Sequence, residues 1–131
     1  KPPLRLFGRI VGGVDHARQL DLKDALMPIV NFARLYALSH GLRQTHTLER
    51  LSSLVEEGVL PAQSRDETAA AYSLLMRLRL RQQSDAQQAG RDPDNTISTR
   101  GLRHSEEAQL NQAFAQIEAI QKRISQEFLG G

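Results

Sequence analysis

The sequence predicts an all-α protein: an antiparallel four-helix bundle with an extended N-terminal arm. Three observations carry this. The 131 residues include four Phe, two Tyr and no Trp, so the core must be built from Leu, Ile, Val and Ala, which suits packed helices. Val and Ile are spread too thinly for a sheet-based fold. Apolar residues recur at spacings of three and four in four segments joined mostly by short connections, the pattern of helices that alternate in direction.

Residues 1–20 read as the arm, a linker from a preceding domain, and 21–131 as the helical domain. Pro2-Pro3 followed by Leu4, Leu6 and Phe7 suggests extended chain, and Gly8, Gly12 and Gly13 discourage a helix. The chain opens on Lys1 and closes on Gly130-Gly131, and reads as a piece of a longer protein. The first helix is expected from about Leu26 to His40, with Pro28 in its first turn and Gly41 as a left-handed stop. Its apolar positions cover more than one face, the mark of a central helix. The second runs from Thr47, as N-cap, to Glu57, and Gly58 ends it. Leu48, Leu51, Leu54 and Val55 make its buried stripe.

Ser64-Arg65-Asp66-Glu67 has the form of a capping box, in which Ser and Glu side chains each satisfy a free backbone N–H. It opens a third helix that continues to about Gln88, turns Tyr72, Leu75, Met76 and Leu78 inward, and stops at Gly90. A polar loop follows as far as Gly101. The fourth helix starts near His104 or Ser105, and Leu110, Ala113, Phe114, Ile117, Ile120, Ile124 and Phe128 form a clean amphipathic stripe.

Composition excludes several function classes. Lys plus Arg number 17 against 15 Asp plus Glu, a net charge of +2 and no basis for the basic stripe that duplex DNA requires. With no Cys there are no disulfides or thiolate metal sites, which fits a reducing, cytoplasmic setting. No run approaches the ~20 apolar residues of a membrane span, and no signal peptide is visible. His16, His40, His46 and His104 lack paired ligand spacing, so no metal site is expected. Nucleophile elbow, P-loop and dinucleotide fingerprint are all missing, as is the Gly-Ser with a following Asp-x-Asp that a nucleotidyltransferase uses to hold its metal ions. No catalytic residue is assigned, and no cofactor in this domain.

The charged residues around the first helix are the binding candidates. Arg34 lies by helical phase near Val30, Ala37 and Leu38, which predicts a packed stem. Desolvating a guanidinium costs several kcal/mol unless acceptors or an anion receive it. Two readings stand: Arg34 snorkels or pairs with an acid of a neighbouring helix, or it receives a phosphate or carboxylate. Lys23 precedes the same helix, and Thr47 and Arg50 lie across the Gly41 turn, so these could converge with Arg34 on one charged ligand. As isolated residues, Thr47 is a cap and Lys23 and Arg50 are solvated charges. At the end of the third helix Arg77 and Arg81 share a face and Arg79 points elsewhere; this run either stabilises the helix dipole or rims a cleft. In the loop, Asp94 and Asn95 suit an Asx-turn, and Asn95 could also bond a substrate.

These residues carry a resemblance across nearly the whole chain. The stretches are DLK at 21–23, PIVNFARLYAL at 28–38, THTLERL at 45–51, LRLRQQ at 78–83, PDN at 93–95 and L-x-x-A-F-x-x-I at 110–117. Together they resemble the helical family named "putative nucleotidyltransferase substrate-binding domain". The resemblance implies a four-helix domain that closes over the cleft of a nucleotidyltransferase domain in the same chain, one similar to that of the PII-protein uridylyltransferase. It also implies CBS or cyclic-nucleotide-binding modules upstream, in bacterial signalling proteins. Lys23, Arg34, Thr47, Arg50, Gln83 and Asn95 would face a nucleotide and an acceptor, protein or small molecule, while Mg2+ and a nucleoside triphosphate serve the full-length protein. One departure is visible: Gln82 stands where the family often has a His, with Gln83 matching the Gln that follows it.

Two other classes remain open. A regulatory or dimerisation bundle would dock partner helices or form a homodimer, although few aromatic residues are available as anchors. An RNA-binding or RNA-cleaving bundle of the HEPN type would use an R-x(4–6)-H motif, and Arg34 with His40 fits that spacing.

Overall fold

A computed structural model describes residues 19–128. The arm expected over 1–20 lies outside them except for its last two residues. The chain order is β1 (Gln19–Asp21), α1 (Leu22–Ser39), α2 (Thr47–Glu56), α3 (Ala62–Gln88), β2 (Thr96–Ser98), a 3-10 turn (Thr99–Gly101) and α4 (His104–Phe128). The all-α expectation holds, with four helices and one two-stranded ladder.

Helix α1 begins a turn earlier than expected because Asp21 caps it, accepting from the Asp24 N–H at 3.0 Å. Pro28 therefore falls in the second turn, where its missing N–H leaves the Asp24 carbonyl without its helical donor. Lys23 lies inside the first turn and does not precede the helix. Leu22, Ala25, Leu26, Ile29, Phe32, Ala33, Tyr36 and Ala37 are buried, so α1 is the central rod. It ends at Ser39, and Gly41 takes the left-handed φ of 70° as expected.

Two expected N-caps are displaced. At α2 the His46 carbonyl receives the Arg50 N–H at 2.9 Å, which makes His46 the cap and Thr47 the first helical residue. At α3 the Pro61 carbonyl receives the Arg65 N–H at 3.1 Å. Ser64 is then already inside the helix and no capping box forms; Glu67 instead accepts from the Gln63 amide at 3.3 Å.

The ladder is the element that the sequence concealed. β1 pairs antiparallel with β2, Leu20 opposite Ile97, and both side chains are buried. It fastens the start of α1 to the loop after α3, and the Leu22 N–H adds a bond to the Asn95 carbonyl at 2.7 Å.

Helix α3 runs antiparallel to α4. Arg81 meets Glu106 at 3.0 Å, Arg77 meets Gln109 at 3.4 Å, and Thr68 meets Gln116 at 2.9 Å, in opposite orders along the two. It is also antiparallel to α1: Asn95 bonds both the Leu22 N–H that opens α1 and Arg79 in the later half of α3, and Met27, Val30, Tyr72 and Met76 line one cavity with Arg79 and Asn95. One continuous core joins Phe32 and Ile29 of α1, Leu51 and Leu54 of α2, Leu75 and Leu78 of α3 and Phe114 and Ile117 of α4. Among the described residues, no helix is long and apolar enough to cross a membrane.

Candidate functional site

The antiparallel contact of α1 and α3 sets two side-chain stripes face to face. Along α1 the residues Lys23, Met27, Val30 and Arg34 follow one another at spacings of four, three and four; along α3 so do Tyr72, Met76, Arg79 and Gln83. That spacing keeps each set within about 40° of one line on its helix. Between them lies a cavity of about 310 Å3. Its floor is apolar: Leu26, Met27, Val30, Tyr72 and Met76. Its polar end is Lys23, Arg79 and Asn95.

The polar end is held from behind. Arg79 donates its Nε–H to Asn95 Oδ1 at 3.0 Å, which leaves the two Nη groups as a fork for a planar anion. Asn95 is fixed through its own carbonyl to Leu22 and through its neighbour Asp94, which makes the expected Asx-turn by accepting from the Thr96 N–H at 3.1 Å. The Gln82 amide donates to the same Asp94 oxygen at 3.1 Å. Gln82, at the departure from the resembled pattern, thus anchors the loop that aims Asn95.

The candidate residues separate into groups. Lys23 and Asn95 line the cavity together. Gln83 stands one turn beyond Arg79 on the same stripe, half-buried. Arg34 stands one turn beyond Val30, outside the cavity; it is exposed, and its guanidinium bonds to Asn31 Oδ1 at 2.9 Å. The packed stem expected for Arg34 is corrected here, because its side of α1 is the groove side and not the core side. Thr47 and Arg50 belong to the first turn of α2, after the connection from the far end of α1, where Arg50 donates to the Gln44 carbonyl at 2.8 Å, and neither lines the cavity. They do not converge with Lys23. Arg34 and His40, the pair the RNA-cleaving reading needs, are six residues apart, which is about 120° apart in helical phase, and His40 is already the cap beyond the last helical residue. His40 Nδ1 turns back to the Tyr36 carbonyl at 2.9 Å.

Arg79 lines the cavity but is not among the candidates named from the sequence. Its signal was its phase with Tyr72 and Met76, opposite to Arg77 and Arg81, which face α4. A larger groove of about 530 Å3 lies between α3 and α4, but alanines and glutamines dominate it and its charges are one Glu67 and one Arg77. It concentrates no charge, so the smaller cavity is the candidate site.

A second polar cluster closes the opposite end of the bundle. The buried Tyr36 hydroxyl donates to Glu127, and Arg123 lies 5.1 Å from the Tyr36 ring centroid while donating to the Val59 carbonyl at 3.0 Å. Burial, then the bond to Glu127 and its charge, pushes the Tyr36 hydroxyl up to about 12. Accepting that hydroxyl, with help from the Arg123 charge, holds the Glu127 carboxyl below its usual range. The cluster fastens α4 to α1, and none of its residues lines the cavity between α1 and α3.

The family model described as "Putative nucleotidyltransferase substrate binding domain" matches residues 1–128. The chain belongs to this family. Searches of curated proteins and of solved structures give no match. Among the described residues no group of three or more His, Cys, Asp or Glu could hold a metal ion.

Proposed function

We propose that the domain binds an anionic substrate in the groove between α1 and α3, forming one wall of the nucleotide and acceptor cleft of a nucleotidyltransferase. The transfer itself, with Mg2+ and the nucleoside triphosphate, belongs to a nucleotidyltransferase domain in the same chain. The family setting extends this reading to a cytoplasmic bacterial signalling protein that carries CBS or cyclic-nucleotide-binding modules.

One observation carries the proposal: Lys23, Arg79 and Asn95 converge from three segments on one end of an apolar cavity. Lys23 and Arg79 supply positive charge, and the Arg79 fork supplies orientation, which is what a positioning domain contributes to a transfer reaction. Gln83 and Arg34 continue the two stripes as an outer rim. Thr47 and Arg50 would touch a ligand or partner domain only beyond the length of α1.

The test is substrate binding by the full-length protein with Lys23→Ala and Arg79→Ala. Each is expected to weaken binding by about tenfold or more, the scale of one charge-assisted contact, with little change in Tm. Unchanged affinity in both variants rejects the groove as the site.

A further inference from the structure

Resting on that reading, we infer that the groove holds the acceptor rather than the metal-bound nucleoside triphosphate, and that this acceptor joins one carboxylate or phosphate to a flat apolar body. Three observations lead there. First, the anion end has a single fork. Arg79 Nε is taken by Asn95 at 3.0 Å, so its Nη edge meets one planar group, with Lys23 as the second charge. Of the first three backbone N–H groups of α1, which could otherwise cradle a chain of phosphates, two are already engaged: Leu22 N–H with the Asn95 carbonyl at 2.7 Å and Asp24 N–H with Asp21 at 3.0 Å.

Second, a triphosphate arrives with Mg2+, which is ordinarily gripped through one or two carboxylates. The described residues lining this cavity include neither Asp nor Glu. Third, the cavity of about 310 Å3 sits at the small end of the roughly 300–1,000 Å3 range of ligand sites. That is room for a ring system and one anionic group. Met27, Met76 and Tyr72 offer soft, polarisable contacts to a ring face.

The chain provides its own probe. It has two methionines, and both line this cavity, so chain labelled with 13C at the methionine methyls gives two resonances that report on the groove. Four compounds are titrated: 1-naphthyl phosphate, 1-naphthoate, inorganic phosphate and Mg2+-UTP. At least one naphthyl anion is expected to shift both methyls saturably, about tenfold or more tightly than inorganic phosphate; which of the two binds better distinguishes phosphate from carboxylate. Arg79→Lys keeps the charge and loses the fork, so it should weaken the naphthyl anion about tenfold while the unliganded methyl resonances stay in place. Tighter binding of Mg2+-UTP, or naphthyl anions no tighter than inorganic phosphate, overturns the acceptor assignment and leaves the groove as a substrate site. If none of the four moves either methyl, both readings fall.

Discussion

Arg79 in α3 and Asn95 in the following loop meet across 3.0 Å at the mouth of the groove between α1 and α3. The bond joins a helix whose position is fixed by the core to a loop whose position is fixed by the β1–β2 ladder. The guanidinium is therefore aimed before any ligand arrives, and pre-aiming lowers the ordering cost of binding.

Replacing the Asn95 amide by a carboxylate uses that geometry against the site. In Asn95→Asp the new charge lies within bonding distance of Arg79 and competes with any incoming anion. Affinity for an anionic ligand should fall by about tenfold or more, while Tm stays level or rises. Calorimetric titration with thermal melts on the same samples checks both halves. A variant that binds as well as the parent would show that Arg79 does not receive the anion.

Gln82 acts one step further back, through Asp94. Gln82→Ala removes an exposed hydrogen bond, so its stability cost should be about 1 kcal/mol or less, read from urea unfolding. Its effect on anion affinity should be larger than its effect on Tm, since the freed loop carries Asn95. Gln82→Glu sets a second carboxylate against Asp94 and should be worse than alanine. Equal behaviour of the Ala and Glu variants would remove Gln82 from this role.

Arg34 gives the opposite expectation from the one its sequence setting suggests. It is exposed and, among the described residues, bonds locally to Asn31 at 2.9 Å, so Arg34→Ala should change stability by no more than about 0.5 kcal/mol. A loss of the ~3–5 kcal/mol typical of a broken buried pair would contradict the exposed placement. Denaturant midpoints of the two chains decide it.

That reversal shows where sequence patterning stops. Helix α1 is apolar on most sides for two separate reasons: one side enters the core, and another, with Met27 and Val30, lines the groove. Residue counting registers both as apolar and cannot tell which side Arg34 joins. Helix ends were legible wherever a glycine in left-handed backbone closes the element, at Gly41, Gly58 and Gly90 (φ 70°, 77° and 73°). Helix starts were less so: Asp21 opens α1 a turn before the expected start, and His46 and Pro61 take the cap positions expected of Thr47 and Ser64. The ladder was illegible: Ile97 is the only apolar residue of β2, and one residue makes no alternation. In the site, Lys23 and Asn95 were visible from the sequence, whereas Arg79 required the register of α3 against α1.

The far end of the bundle makes a prediction about pH. Tyr36 keeps its proton up to about 12 in the folded chain, against 10.0 for an ordinary tyrosine. Its contribution to stability is therefore complete below pH 10 and is lost as pH rises from there through about 12, because over that interval the unfolded chain releases a proton that the folded chain retains. Glu127 has the reverse sign. Its carboxyl is held below the ordinary 4.5, chiefly by the Tyr36 hydroxyl, so its contribution is present above that value and disappears as pH falls through the depressed one. Tyr36→Phe removes the titrating hydroxyl and the donor to Glu127 together. The variant should lie closer to the parent at both pH extremes than at neutrality, where the parent keeps its full advantage. Urea midpoints of the two chains, measured from acid to pH 12, test this. A constant gap between them at every pH would mean that the hydroxyl and the carboxyl are not coupled in the folded protein.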